Sequence, residues 1–406
     1  MSTSYTPAAA MTRRHWLFPL SLVLFEFATY IAHDMIQPGM LQVVKDFGVG
    51  SDWVSTSLTA YLLGGMTLQW LLGPLSDQLG RRPVMLVGVA LFVTTCLLTL
   101  WVQSIEQFIL MRFLQGISLC FIGAVGYATI QEAFAETLSL KMMALMANIA
   151  LIAPLLGPVA GAAFIHLAPW KSMFGLFALL AALALWGLWR AMPETAGNRG
   201  QRFSSERLLT DYRHVLGNRR TLCGSLAIGF SALPLLAWVA QSPVILMQDG
   251  GMTPWQYGLA QVPIFVSLII GNLLLGKISG RVSIERPLWL GVWPIIGGLA
   301  LAAAAAVIDP HQWLFSVAGL SLYAFGTGLI NAGLYRLTLF SSPVGKGTVA
   351  AAVGMITIAL YAGGIELAKQ LYLHGGNGAF SLYNALAGVL WLGLMGWFLR
   401  TRPVSV

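Results

Sequence analysis

Apolar residues run along the chain in long blocks separated by short polar breaks, and most blocks reach the ~20 residues that a helix needs to cross a hydrocarbon layer. The blocks do not alternate with the period of two that barrel strands require. They predict twelve membrane-spanning helices, over residues 16–39, 52–73, 83–102, 106–130, 141–165, 170–190, 220–246, 254–279, 287–307, 312–340, 347–372 and 378–399. Gly and Pro interrupt many of these blocks, as spanning helices tolerate when neighbouring helices re-satisfy the backbone. The longest polar gap opens at Pro193 and holds Arg199, Arg202, Arg207, Arg213 and Arg219. It divides six spans from six. The expected organisation is therefore an N-terminal bundle over 1–192, a cytoplasmic linker over 193–219 and a C-terminal bundle over 220–406.

A repeat supports this division. Pro38 matches Pro243, Arg82-Pro83 matches Arg286-Pro287 and Lys141 matches Lys346, all at an offset of 204 or 205. Three landmarks in order at one offset point to two parallel repeats about an axis along the membrane normal, an arrangement that places a transport site between the bundles near the midplane. The fold class is an all-α membrane protein of two six-helix bundles.

Composition agrees with the pattern: 57% of residues are hydrophobic, 9% are charged and the mean hydropathy is +0.76, which excludes an ordinary soluble domain. Charge then orients the chain. With the N-terminus inside, Lys45, Lys171 and Lys369 fall at external ends, Arg112 and Arg336 fall within spans, and the other basic residues face the cytoplasm. The net charge of +8 thus reflects topology and attraction to anionic membrane lipid. No basic patch interleaved with aromatics suggests nucleic acid. Arg13 and Arg14 before an apolar run mimic a secretory signal, but that run is long, carries acids and lacks a small-residue cleavage site, so it reads as a retained first span. The three cysteines, Cys96, Cys120 and Cys223, have no C-x-x-C spacing, which argues for packing and against a disulfide framework or a metal site.

Chemistry concentrates in "FEFATYIAHDMIQPG", residues 25–39. On a helix Glu26, Tyr30, His33, Asp34 and Gln37 share an arc of about 100°, with Glu26 about 12 Å along the axis from Asp34. Carboxylates inside hydrocarbon are costly and normally face a cavity or a partner, where they can exchange protons during a transport cycle. The competing reading is a pair of acids kept neutral or paired for helix packing. His33 reads as a polar wall residue, with a third titrating group as the other reading. Tyr30 can donate a hydrogen bond while offering its ring to an aromatic ligand, or simply pack. Arg112, in "ILMRFLQG", has no acid nearby in sequence and must find a carboxylate, carbonyls or water elsewhere, unless it snorkels to the external interface. Tyr127, further along the same span, is placed to line the inner cavity.

Two further stretches mark conformational elements. "GPLSDQLGRRP" carries Gly73, Asp77, Gly80, Arg81 and Arg82 at the cytoplasmic end of the second span. "APLLGPVAGAAF" carries Gly157, Pro158 and Gly161, which bend a helix and permit close approach. Glu366 and Lys369 stand three apart near the external end of span 11 and read as a local ion pair, and Arg336 reads as an interfacial anchor.

These residues resemble the major facilitator superfamily, and within it the MdfA-type multidrug/proton antiporters. "GPLSDQLGRRP" is similar to the superfamily's loop 2–3 signature, "RFLQG" to its span 4 signature and "APLLGPVAG" to the span 5 signature of its antiporters, and the likeness covers nearly the whole chain. The resemblance implies that Glu26 and Asp34 take part in proton and drug binding, with Arg112 supporting the coupling from span 4. It implies that Asp77, Arg81 and Arg82 lock the inner ends of the bundles when the outside is open, with the acid at the positive N-terminal end of span 11. Tyr30, Leu119, Tyr127 and Ala150, together with Leu235, Leu236 and Val239, match positions of the drug-cavity wall, which His33 and Asp34 join. Two departures stand out. His33 occupies a position where the family has Asn, and the second half lacks both the acid of the loop signature and the Gly-Pro of span 5.

The sequence therefore predicts a monomeric bacterial inner-membrane antiporter, with both termini cytoplasmic, that exports lipophilic cationic and neutral drugs in exchange for protons. It predicts no cofactor, no metal and no enzymatic activity. A proton-coupled importer of one metabolite on the same fold is the alternative, and would call for a cavity denser in polar side chains. A membrane-embedded enzyme using Glu26, His33 and Asp34 as acid and base lacks any accompanying nucleophile elbow, H-E-x-x-H or phosphate loop.

Overall fold

A computed structural model describes residues 13–196, 205–279, 281–309 and 313–401. Arg199 and Arg202 of the polar gap lie outside the described residues. Helix α1 (Arg13–Asp34) ends where Pro38 demands it, because the proline ring excludes the helical carbonyl four residues earlier, that of Asp34. A 3₁₀ turn (Gln37–Gly39) and a short α2 (Met40–Asp46) follow. The second span is two helices, α3 (Asp52–Thr67) and α4 (Gln69–Leu79), broken at Leu68. Gly80, at φ 108°, separates α4 from α5 (Arg81–Thr99), a backbone conformation open to glycine. Then come α6 (Ile105–Phe121), a π turn (Ile122–Gly126), α7 (Tyr127–Ala133), α8 (Glu136–Leu167) and α9 (Lys171–Ala191).

The polar gap is not a plain loop. It contains α10 (Ser205–Gly217), an amphipathic helix whose Tyr212 donates to the Trp70 carbonyl at 3.3 Å. Burial pushes the Tyr212 phenol up to about 12, so it remains a donor at physiological pH. The second half comprises α11 (Arg219–Ser242) with its π turn (Pro243–Asp249), α12 (Pro254–Ile278), α13 (Glu285–Ile308), α14 (Trp313–Leu339) and α15 (Lys346–Arg400). Were its 55 residues straight, α15 would extend about 80 Å, more than twice a bilayer's hydrocarbon thickness. It reverses at Gly376, φ 62°. Tyr383 Oη accordingly donates to the Gly364 carbonyl at 3.0 Å, although 19 residues of straight helix would separate their Cα atoms by about 28 Å. Among the described residues ten helices are long and apolar enough to cross a membrane; α15 supplies two crossings and the α3–α4 pair another, giving the twelve expected.

Within the first half α1 packs on α8 and α9, α3 on α6, and α5 on α6 and α9; within the second, α11 packs on α15 and α14 on both α12 and α13. Small residues let backbones touch: a Cβ on Gly116 would sit 1.9 Å from the Tyr61 carbonyl oxygen, and one on Gly64 2.0 Å from that of Phe113. The halves meet along two seams, α8 against α12 and α3 against α15. Away from the arginine-rich face the junction is closed by Leu58, Val239, Ala240, Phe265 and Ile365, all buried. Polar contacts accompany it: Ser55 Oγ donates to Gln241 Oε1 at 2.6 Å, and Lys369 Nζ, paired with Glu366, donates to Thr56 Oγ1 at 3.0 Å. Toward the arginine-rich face, Ala144, Ala147 and Asn148 of α8 and Asn331, Ala332 and Arg336 of α14 are exposed.

Candidate functional site

The polar face of α1 is buried against α7 and α8, with Tyr257 of α12 within electrostatic reach of Asp34. Glu26 has no exposed surface and accepts a hydrogen bond from Tyr127 Oη through Oε1 at 3.1 Å, while its Oε2 has no partner among the described residues. The π turn ahead of α7 shifts the register of that helix by one residue, which sets the direction from which Tyr127 approaches. Two turns on, Asp34 is 2% exposed. Its Oδ1 lies 2.8 Å from His33 Nδ1, and its Oδ2 is likewise buried and without a partner among the described residues. Tyr30 stands between the acids, half-buried and within electrostatic reach of both. Gln37 falls beyond the helix, in the 3₁₀ turn, so the expected arc holds only as far as Asp34; its amide nitrogen donates to the His33 carbonyl at 3.2 Å.

Arg112 is fully buried on α6, which excludes snorkelling. Neither acid is its ion-pair partner. Its Nη1 donates to Gln115 Oε1 at 2.9 Å, and its guanidinium carbon lies 4.5 Å from the Tyr61 ring centroid and 6.0 Å from that of Phe174. Gln115 is held in turn by Thr99 Oγ1 at 2.9 Å. A cation on aromatic faces offsets part of its desolvation, yet Nε and Nη2 still lack hydrogen-bond partners among the described residues.

The span 5 glycines are explained by what they face at Asp34 and Met35. A Cβ on Gly157 would lie 2.4 Å from Asp34 Cβ, and one on Gly161 2.0 Å from the Met35 carbonyl oxygen. Pro158 sits at the seam, its carbonyl oxygen 3.0 Å from where a Cβ on Gly258 of α12 would stand. At the arginine-rich face Arg81 is the hub. Its Nη2 meets Asp77 Oδ1 at 2.5 Å and Glu132 Oε1 at 2.9 Å, and its main-chain N–H donates to Glu194 Oε1 at 2.8 Å. Arg82 donates to the Trp189 carbonyl at 2.5 Å. Asp77 therefore pairs within its own half, and the first turn of α15 carries no side-chain cap. Gly73 has open space where its Cβ would be, so packing does not demand glycine there.

The expected wall residues divide. Leu235, Leu236 and Val239 join the apolar cluster that bridges the halves, together with Leu58 and Ile365. Leu119 instead lies against Gly65 of α3, within its own half. Ala150 is half-buried on the stretch of α8 that leads toward the arginine-rich face.

Comparison with known proteins agrees with this architecture. The family model described as Major Facilitator Superfamily matches residues 22–365. The chain belongs to the major facilitator superfamily. Within the superfamily it is 61% identical over 406 residues to the "Multidrug transporter MdfA" of Yersinia pestis bv. Antiqua (strain Angola), covering 100% of this chain and 99% of that one. It is 58% identical over 405 residues to the protein of the same name from Escherichia coli O6:H1, at the same coverage. In fold it is similar to a solved D-xylose-proton symporter, with a TM-score of 0.76 at 15% identity over 96% of this chain and 98% of that one.

Several residues of the site were not read from the sequence. Gln115 stands three residues from Arg112, so helical spacing alone could have named it. Tyr61, Thr99 and Glu132 reach the site from other helices, and no local pattern marks them.

Proposed function

We propose that the chain is a proton-driven multidrug efflux antiporter of the bacterial inner membrane, exporting lipophilic cationic and neutral compounds by alternating access. One observation carries this reading most directly: two buried carboxylates on one helix, each with an oxygen unpartnered among the described residues, and neither neutralised by Arg112. Such acids can take a proton or face a cation, and only one occupant at a time. The relatives' shared name, multidrug transporter, supports the substrate class. The apolar junction lined by Leu235, Leu236 and Val239 suits broad specificity better than recognition of one polar metabolite.

In this mechanism deprotonated Glu26 and Asp34 accept a compound from the cytoplasmic side, which is the arginine-rich face, and both termini lie on that side. Tyr30, His33, Leu119, Tyr127 and Ala150 contribute to its binding. Outward rocking exposes the site, protons replace the compound, and their release inward resets the acids. Protonation must favour one arrangement of the seams, since a ligand shifts conformers only by binding them unequally. The bundles over 1–192 and 220–406 move against each other with 193–219 as their linker, and one chain suffices.

The test is drug-driven proton release from purified protein. Wild type should release protons when a lipophilic cation is added, Asp34→Asn and Glu26→Gln should each reduce the yield, and thermal melting should report both variants folded. Unchanged release and drug binding in both variants would reject the coupling.

A further inference from the structure

His33 does more than line a wall. Its Nδ1 lies 2.8 Å from Asp34 Oδ1, and its ring centroid is 5.5 Å from that of Tyr61. Arg112 stands over the same Tyr61 ring at 4.5 Å. Asp34 is thus joined to Arg112 through a chain of contacts, Arg112–Tyr61–His33–Asp34, in place of an ion pair. Gly157 faces Asp34 so closely that a Cβ there would lie 2.4 Å from Asp34 Cβ. The orientation and net charge of the acid's surroundings therefore depend on its neighbouring ring.

We propose that His33 selects substrates by charge, an inference that rests on the transport reading above. With Asp34 ionised, Nδ1 must carry the hydrogen, because a carboxylate only accepts. A neutral His33 then orients Asp34 and leaves Oδ2 as an anion facing a cationic compound. A protonated His33 cancels the charge of Asp34 in place, and the site, now neutral as a pair, suits an uncharged compound. One buried pair thereby serves both substrate classes, and the change between them costs one proton.

The neighbours of this ring set its balance. On α1 these are Asp34 in contact, with Tyr30 one turn back and Glu26 two turns back; α3 brings Tyr61, α6 brings Arg112, and Tyr257 of α12 lies within electrostatic reach of Asp34. From α8 the Gly157 main chain faces Asp34. Arg112 opposes a second positive charge, but across the Tyr61 ring, whereas Asp34 favours it at hydrogen-bond distance.

The experiment uses full-length protein in detergent, labelled with ¹⁵N-histidine, and two probes: tetraphenylphosphonium as the cation and triphenylphosphine oxide as the neutral compound. The His33 signal is identified by its absence in His33→Gln. The ring should change its charge state across a pH series, and Asp34→Asn should displace that change. At half-protonation, saturating tetraphenylphosphonium should drive the ring to its neutral form and the neutral probe should not. His33→Gln, which keeps a hydrogen bond to Asp34 but cannot charge, should change the ratio of the two affinities at that pH about fivefold or more, with an unaltered melting temperature. A ring that does not titrate, or that holds the same charge under both probes, overturns the proposal and leaves the transport reading intact. Failure of wild type to bind either probe at any pH overturns both.

Discussion

Glu26 and Asp34 occupy one helix face but different surroundings, and that difference fixes what each substitution should do. The Glu26 carboxylate has a single hydrogen-bond partner among the described residues, Tyr127. Tyr127→Phe should remove it with little change of shape and weaken binding of a cationic compound roughly three- to tenfold, the usual worth of one such bond at ~1 kcal/mol, as read by equilibrium binding. Asp34 is confined by glycine instead. Gly157→Ala would force a methyl group to 2.4 Å from Asp34 Cβ, and the separation of α1 from α8 should cost about 1–3 kcal/mol, seen as a lowered unfolding midpoint together with lost transport. Gly73→Ala, where nothing is crowded, should be tolerated in the same assay. Sequence alone marked both acids and both of these glycines, but it could not rank them. A glycine's necessity depends on the atoms opposite it, and those belong to another helix.

Among the elements, α3 is one of those that reach both halves. It packs on α6 within the first bundle, and it meets α11 through Ser55 and Gln241 and α15 through Thr56 and Lys369. These contacts latch the end of the junction away from the arginine-rich face. Ser55→Ala combined with Gln241→Ala should loosen that latch and favour opening on this side. The check is faster labelling of a cysteine placed at Leu58 by a membrane-impermeant maleimide; an unchanged rate would mean that the latch does not hold the closed form. The native Cys96, Cys120 and Cys223 are buried and make a low background. The loop signature follows similar reasoning. Arg81 meets Asp77 and Glu132 through a planar fork that Lys cannot reproduce, so Arg81→Lys should lower transport by more than it lowers drug binding. The i,i+3 pair of Glu366 and Lys369 was legible from spacing alone; the reach of Lys369 across the junction to Thr56 was not.

At the scale of the whole molecule, two bundles joined along α3–α15 and α8–α12 can transport only by parting one end of the junction while the other closes. A short bismaleimide linking cysteines placed at Ser55 and Gln241 should therefore abolish transport of a labelled cation, while compounds approaching from the arginine-rich face still bind. Transport that survived full cross-linking would contradict alternating access through this junction. The sequence by itself determined the spans, because in hydrocarbon the backbone must satisfy its own hydrogen bonds and a spanning helix leaves few local alternatives. It also fixed where the acids lie along the chain. Only the tertiary structure decided that Arg112 rests on Tyr61 and Gln115 and pairs with neither acid, that Tyr127 answers Glu26, and that His33 answers Asp34. Partners of buried charges come from whichever helices pack alongside, and that packing is set by shape across the bundle, which no local period records.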